Sequence, residues 1–174
     1  MKTTVLLLMG VSASGKSTVG ALLAGRLNWQ YADADSFHSA ANVSKMAAGH
    51  PLTDDDREPW LHTIRAWIDQ QVAKAQPGVV TCSALKRKYR DILRAPGLSI
   101  VYLRGTRAQI EQRLIARQGH FFKPSMLDSQ FDALEEPAAD ENVIAVPIGG
   151  TPAEVVEAIV AATGILTRAA PTAS

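Results

Sequence analysis

The chain has 174 residues, a formal charge of +1, and hydrophobic and charged fractions of 47% and 20%, the length and balance of one globular domain. So small a net charge excludes a global field that would draw in nucleic acid or a membrane surface; any anion must be gripped by local basic groups. The single cysteine, Cys82, excludes an internal disulfide, and no run approaches the roughly 18 apolar residues of a membrane span, so the sequence reads as cytoplasmic.

The first apolar run, "TVLLLMG", is too short for the core of a secretory leader and reads as a buried strand. It stops at "GVSASGKS", Gly10 to Ser17, which fits G-x-x-x-x-G-K-[ST] between a strand and a helix expected over Lys16–Leu27. Glycines let such a loop turn its N–H groups inward around phosphate oxygens, and the helix N-terminus adds partial positive charge. The nucleotide-binding candidates are therefore Gly10, Ser12, Ala13, Ser14, Gly15, Lys16, Ser17 and Thr18. Lys16 would reach the β- and γ-phosphates of ATP, and Ser17 would ligate Mg²⁺. Ala13 stands where glycine is common, which is tolerable if its φ stays negative.

The second strand pattern, "WQYADAD", ends in two carboxylates, Asp33 and Asp35, placed on one side by strand alternation. Strand ends of a parallel sheet face the ligand crevice, and these acids follow Lys16 by one helix and one strand. Asp33 is read as ordering Mg²⁺ through water, because "VVTCS" lacks the usual acid of a Walker B strand. Asp35, further out, is read as the base that accepts a proton from an attacking hydroxyl. His38 joins it as an acceptor-binding candidate.

From Asp35 to Gly78 the connection exceeds one crossover, so an acceptor-binding region is expected at about 36–75, with helices over Asn42–Gly49 and Glu58–Lys74 and Pro59 in a first turn. "PLTDDDREPWL" sets Arg57 among three aspartates, either as an acceptor contact or as a surface ion pair. Trp60 beside it either walls the acceptor pocket or packs. After the strand "GVVTCSA", "CSALKRKYR" presents Lys86 and Arg90 one turn apart, as acceptor contacts or as a solvated face; Arg87 and Lys88 are read as solvent-facing.

A fourth strand, "LSIVYLRG", leads to a helix over Thr106–Gln118 carrying Arg113 and Arg117. Both are candidates for the nucleotide, and Arg117, nearer the following segment, is the candidate for stabilising transferred charge. The long segment Gly119–Pro137 reads as a lid at about 119–137, and His120 divides between lid structure and substrate contact. "NVIAVPI" is the fifth strand, and Thr151 caps a last helix starting at Pro152. Strands alternating with helices predict an α/β fold with a parallel sheet covered on both faces, in a single domain of 1–166 with a flexible tail at 167–174.

Taken together, "GVSASGKST", "DADSFH", "NVSKMAAGHPLTDDDREPWL", "CSALKRKYRDILR" and "RQGHFFKPSMLDSQFDALEEP" resemble the gluconate kinase family, in that order and over about residues 5 to 163. The resemblance implies a P-loop three-layer fold with a five-stranded sheet of order 2-3-1-4-5 and a lid. It implies transfer of phosphate from ATP, with Mg²⁺, to the C6 hydroxyl of D-gluconate, often by a homodimer, and an adenine flanked by "IGGTP" and the Arg117 region. Related shikimate kinases share the loop and the "DAD" pair but carry a glycine triplet where this chain has "CSALK". Two alternatives stand beside this: a sibling kinase for shikimate or another sugar acid, and a nucleotide-binding regulator without catalysis.

Overall fold

The computed structural model describes residues 2–119 and 123–165; His120 and the expected tail at 167–174 lie outside them. Strands β1 (Val5–Met9), β2 (Gln30–Asp33), β3 (Gly78–Thr81), β4 (Leu98–Arg104) and β5 (Ile144–Pro147) form one parallel sheet in the order 2-3-1-4-5. β1 lies at its centre, with Leu6 opposite Val79 on one side and Ser99 on the other. Alternation sends Leu6 and Leu8 into one core and Val5, Leu7 and Met9 into another, and all five are fully buried. Covering both faces is what makes this strand a continuous apolar run.

The first core is closed by α1 (Lys16–Leu27), α5 (Arg107–Gln118) and α7 (Pro152–Thr163), through residues such as Leu23, Ile110 and Ile159. The second is closed by α3 (Asp54–Ala73) and α4 (Arg87–Leu93), through Leu61, Ile64, Ile68 and Leu93. Helices α2 (Ala40–Ala47) and α6 (Pro124–Ala133) occupy the two long connections. From β1 the chain crosses to β2, returns to β3, then passes to β4 on the other side of β1. That reversal opens a crevice at the carboxyl end of β1. Among the described residues no helix is long and apolar enough to cross a membrane.

Two local expectations are corrected. α3 begins at Asp54 rather than Glu58, because Thr53 and Asp56 form a reciprocal cap: Thr53 Oγ1 accepts from Asp56 N at 3.1 Å, and Asp56 Oδ2 accepts from Thr53 N at 2.8 Å. Three aspartates then sit at the positive helix end, and Pro59 falls inside the helix rather than in its first turn. Its missing N–H leaves the carbonyl of Asp55, an exposed residue, to water. Second, β2 ends at Asp33, and residues Ala34–Phe37 form a 3-10 turn, so Asp35 is not a strand residue.

Candidate active site

The loop after β1 is shaped by its glycines. At Gly10 (φ 153°) a Cβ would stand 2.8 Å from Ser14 Oγ and 3.0 Å from Leu103 O; Gly15 (φ 94°) caps α1 from the left-handed region. Ala13 also adopts a positive φ, 64°, so the condition of a negative φ, under which alanine fits without strain, is not met. The loop therefore carries about 1–2 kcal/mol of left-handed strain at a residue with a Cβ. Lys16 folds back across the loop, with Nζ donating to Gly10 O at 2.8 Å and Val11 O at 3.0 Å. Burial lowers its pKa to about 8, opposed by the charges of Asp35 and Asp33. Ser14 differs from its neighbours: it is buried, its N–H donates to Val11 O at 3.2 Å, and its carbonyl accepts from Arg113 Nη1 at 3.3 Å. Its hydroxyl is buried and has no hydrogen-bond partner among the described residues.

One cleft gathers Ser12, Lys16, Ser17, Asp33, Asp35 and Arg117. The two acids share a side for a reason other than strand alternation. Asp33 caps the 3-10 turn, its Oδ1 accepting from Asp35 N at 2.9 Å, so the turn swings Asp35 back over the strand end. Its other oxygen, Oδ2, lies 3.5 Å from Ser17 Oγ. This hydroxyl and carboxylate are hard oxygen donors of the type Mg²⁺ takes, beside phosphates and water. Among the described residues no group of three or more His, Cys, Asp and Glu side chains converges as a metal cage.

Behind Asp35, Trp60 donates from Nε1 to Ala34 O at 2.7 Å, and its ring stacks on His38 at 4.2 Å and 13°. Trp60 is buried in the second core, so packing is the role its contacts show. Burial lowers the pKa of His38, with Arg57 acting in the same direction and Asp35 against it. Arg57 does not pair with the neighbouring aspartates; its Nη1 donates to Tyr89 OH at 3.3 Å. Lys86, the residue capping α4, points to the same place, with Nζ 3.2 Å from Asp54 Oδ1. Lys88 is exposed, as expected, and from the surface it also pairs with Asp54; Tyr89 OH donates to the same carboxylate. Lys88, Tyr89 and Lys86 together hold Asp54 well below the usual carboxylate range.

Arg90 is not an acceptor contact. It is fully buried, bound to Glu141 through Nε at 2.7 Å and Nη2 at 3.1 Å, and it donates to the carbonyls of Ala84, Leu85 and Glu135. One turn on a seven-residue helix separates Lys86 from Arg90, but the latter side chain turns inward, where a buried carboxylate offsets its desolvation. Arg87 does lie at the surface, paired with Asp140 at 2.7 Å.

Arg113 donates from Nη2 to Ile148 O at 2.7 Å, beside the "IGGTP" loop. A second cavity, lined by Ala13, Gly15, Thr18, Arg117, Pro152 and Val155 among others, lies on that side of the loop, and Arg117 borders both cavities. Two polar contacts of this region have no local sequence signal: Tyr89 beside Asp54, and Gln130 at Ser12.

The model of the shikimate kinase family matches residues 12–161. The chain is 47% identical to a probable gluconokinase of Mus musculus, over 91% of this chain and 96% of that one. It is 46% identical to the thermoresistant gluconokinase of Escherichia coli (strain K12), over 89% and 93%. The crystal structure of a gluconokinase from Sinorhizobium meliloti 1021 superposes with a TM-score of 0.81 at 40% identity, covering 96% of this chain and 95% of that one.

Proposed function

The chain belongs to the gluconokinase family, and we propose that it transfers the γ-phosphate of ATP to the C6 hydroxyl of D-gluconate, giving 6-phosphogluconate and ADP. The observation that carries this reading is the single cleft in which the phosphate loop, Lys16, Ser17, Asp33, Asp35 and Arg117 face one another. In the reaction the C6 oxygen bonds to phosphorus, the bond from the γ-phosphorus to the bridging oxygen breaks, and ADP leaves with that electron pair. Asp35 takes the hydroxyl proton. The loop amides and Lys16 hold the phosphates, and Arg117 offsets charge spreading over the transferred group.

Ser17 and Asp33 would hold Mg²⁺, which supplies charge neutralisation at the phosphates when bound. Arg57 and Lys86 would meet the carboxylate of the acid substrate, with Tyr89 between them. His38, stacked on Trp60, borders the same region. The resemblance also supports a homodimer, which sizing by light scattering checks.

A coupled ADP-release assay with gluconate, shikimate, other sugar acids and nucleoside monophosphates tests the assignment. Gluconate-dependent turnover with ATP and Mg²⁺ is expected; its absence overturns the reading. Preference for shikimate would favour the sibling kinase suggested by the family match over residues 12–161.

A further inference from the structure

Helix α6 ends in a carboxamide contact with the phosphate loop. Gln130 Oε1 accepts from Ser12 N at 3.0 Å and from Ser12 Oγ at 3.2 Å. A backbone N–H can only donate, so the oxygen end of the carboxamide faces Ser12 and the amide end faces away. Ser12 lines the phosphate cleft, whereas Gln130 does not; the side chain grips the loop from outside. Ser12 lies at the strand end of the loop, away from the α1 N-terminus, the end that the kinase reading above assigns to the terminal phosphate.

The helix that carries Gln130 is anchored at several points. Leu127 is buried in the first core, and Phe131 packs against that core. Arg107 of α5 pairs with Asp128, and its guanidinium lies over the Phe131 ring at 5.7 Å. Two residues past the helix, Glu135 N donates to Leu85 O at 2.8 Å, and Glu135 Oε1 accepts from Arg87 N at 2.9 Å. Leu85 precedes Lys86, so one short segment bonds both to the loop that carries Lys86 and to the phosphate loop.

We propose that Gln130 is a positioning residue for phosphoryl transfer: it fixes Ser12, and with it the terminal-phosphate end of the loop, relative to the loop that carries Lys86. The proposal rests on the kinase reading above but not on the identity of the acceptor. Two hydrogen bonds on one oxygen set the loop's register without touching the nucleotide. Their loss therefore weakens the grip on the third phosphate and misaligns transfer, while leaving the acceptor site intact. Misplacement by about 1 Å costs up to about a hundredfold in rate.

The test compares wild-type chain with Gln130→Ala, measuring thermal unfolding, calorimetric affinity for ADP and for a non-hydrolysable ATP analogue, and steady-state kinetics. Because Gln130 is half-buried, Tm should move by no more than about 4 °C, since a change of 1 kcal/mol shifts a domain of this size by about 2–4 °C. Affinity for the ATP analogue should fall about fivefold, the worth of one ordinary hydrogen bond, and that for ADP by less than about twofold. With gluconate, kcat should fall about tenfold with KM for the acid within about twofold. Equal losses for ADP and the ATP analogue overturn the proposal, as does retained kcat. Tighter binding of the analogue also overturns it, since the carboxamide would then be competing with phosphate. The two binding measurements need no acceptor, so a wild-type chain inactive on gluconate defeats the proposed function without deciding this one.

Discussion

Trp60 holds Ala34 in place: its indole N–H donates to the Ala34 carbonyl at 2.7 Å, in the residue between Asp33 and Asp35. The acids of the cleft thus depend on a side chain from α3, across the second core. Trp60→Phe keeps an aromatic ring against His38 but leaves a buried carbonyl without its donor. It should cost about 1–3 kcal/mol in urea unfolding and lower kcat more than it raises KM for ATP. A variant with wild-type kcat would show that the turn holds Asp35 without the indole.

Asp35→Asn removes the proton acceptor proposed for the reaction and keeps the shape of the side chain. kcat should fall at least about 10²-fold, the range of acid–base groups, while calorimetry still finds ATP bound. A near-normal kcat would reassign the base.

Arg90 tests burial against substrate contact. Arg90→Met strips buried Glu141 of its bidentate partner and leaves only Arg94 at 3.5 Å and the Ala138 N–H, so unfolding free energy should drop by up to about 3–5 kcal/mol. Under conditions where the variant is still folded, KM for gluconate should stay within about twofold. A large rise in that KM without loss of stability would return Arg90 to the acceptor site.

At Ala13 the left-handed backbone predicts an unusual sign. Ala→Gly in a helix costs about 0.5–1 kcal/mol, but here the strain at φ 64° is relieved. Ala13→Gly should leave the stability unchanged or raise it by up to about 1 kcal/mol. Denaturant midpoints at constant slope measure this, and a loss above about 0.5 kcal/mol would contradict the strain argument.

Acid stability should report the cap of α3. Lys45, and then the Thr53 backbone and hydroxyl, lower the pKa of Asp56 from 3.8 to about 2. The folded value lies below the unfolded one, so this contribution is complete above about pH 4 and is lost as pH falls through about 2. Asp56→Asn cannot titrate. It should be less stable than wild type at pH 7 yet lose less Tm between pH 4 and pH 2. Parallel melting curves across that window would remove Asp56 from the acid transition.

Much of the fold is written in local pattern. Val5–Met9 shows its double burial as an unbroken apolar run, and Gly10 to Ser17 shows a phosphate loop because strand, glycines, lysine and hydroxyl are contiguous. The start of α3 was misplaced because Pro59 is a stronger local signal for a first turn than the cap Thr53 forms with Asp56. Lys86 and Arg90 look equivalent on a helix drawn alone. They part only because Glu141, 51 residues beyond Arg90, is buried beside one of them.

The residues by themselves dictate that this chain grips a nucleotide's phosphates and sets two acids near them, since those features need only neighbours in sequence. Which basic groups face the acceptor, how the 3-10 turn aims Asp35, and how Gln130 reaches Ser12 across 118 positions are decided by packing. Side-chain direction on a short helix or turn depends on which partner compensates its desolvation, and that partner is supplied by distant parts of the chain.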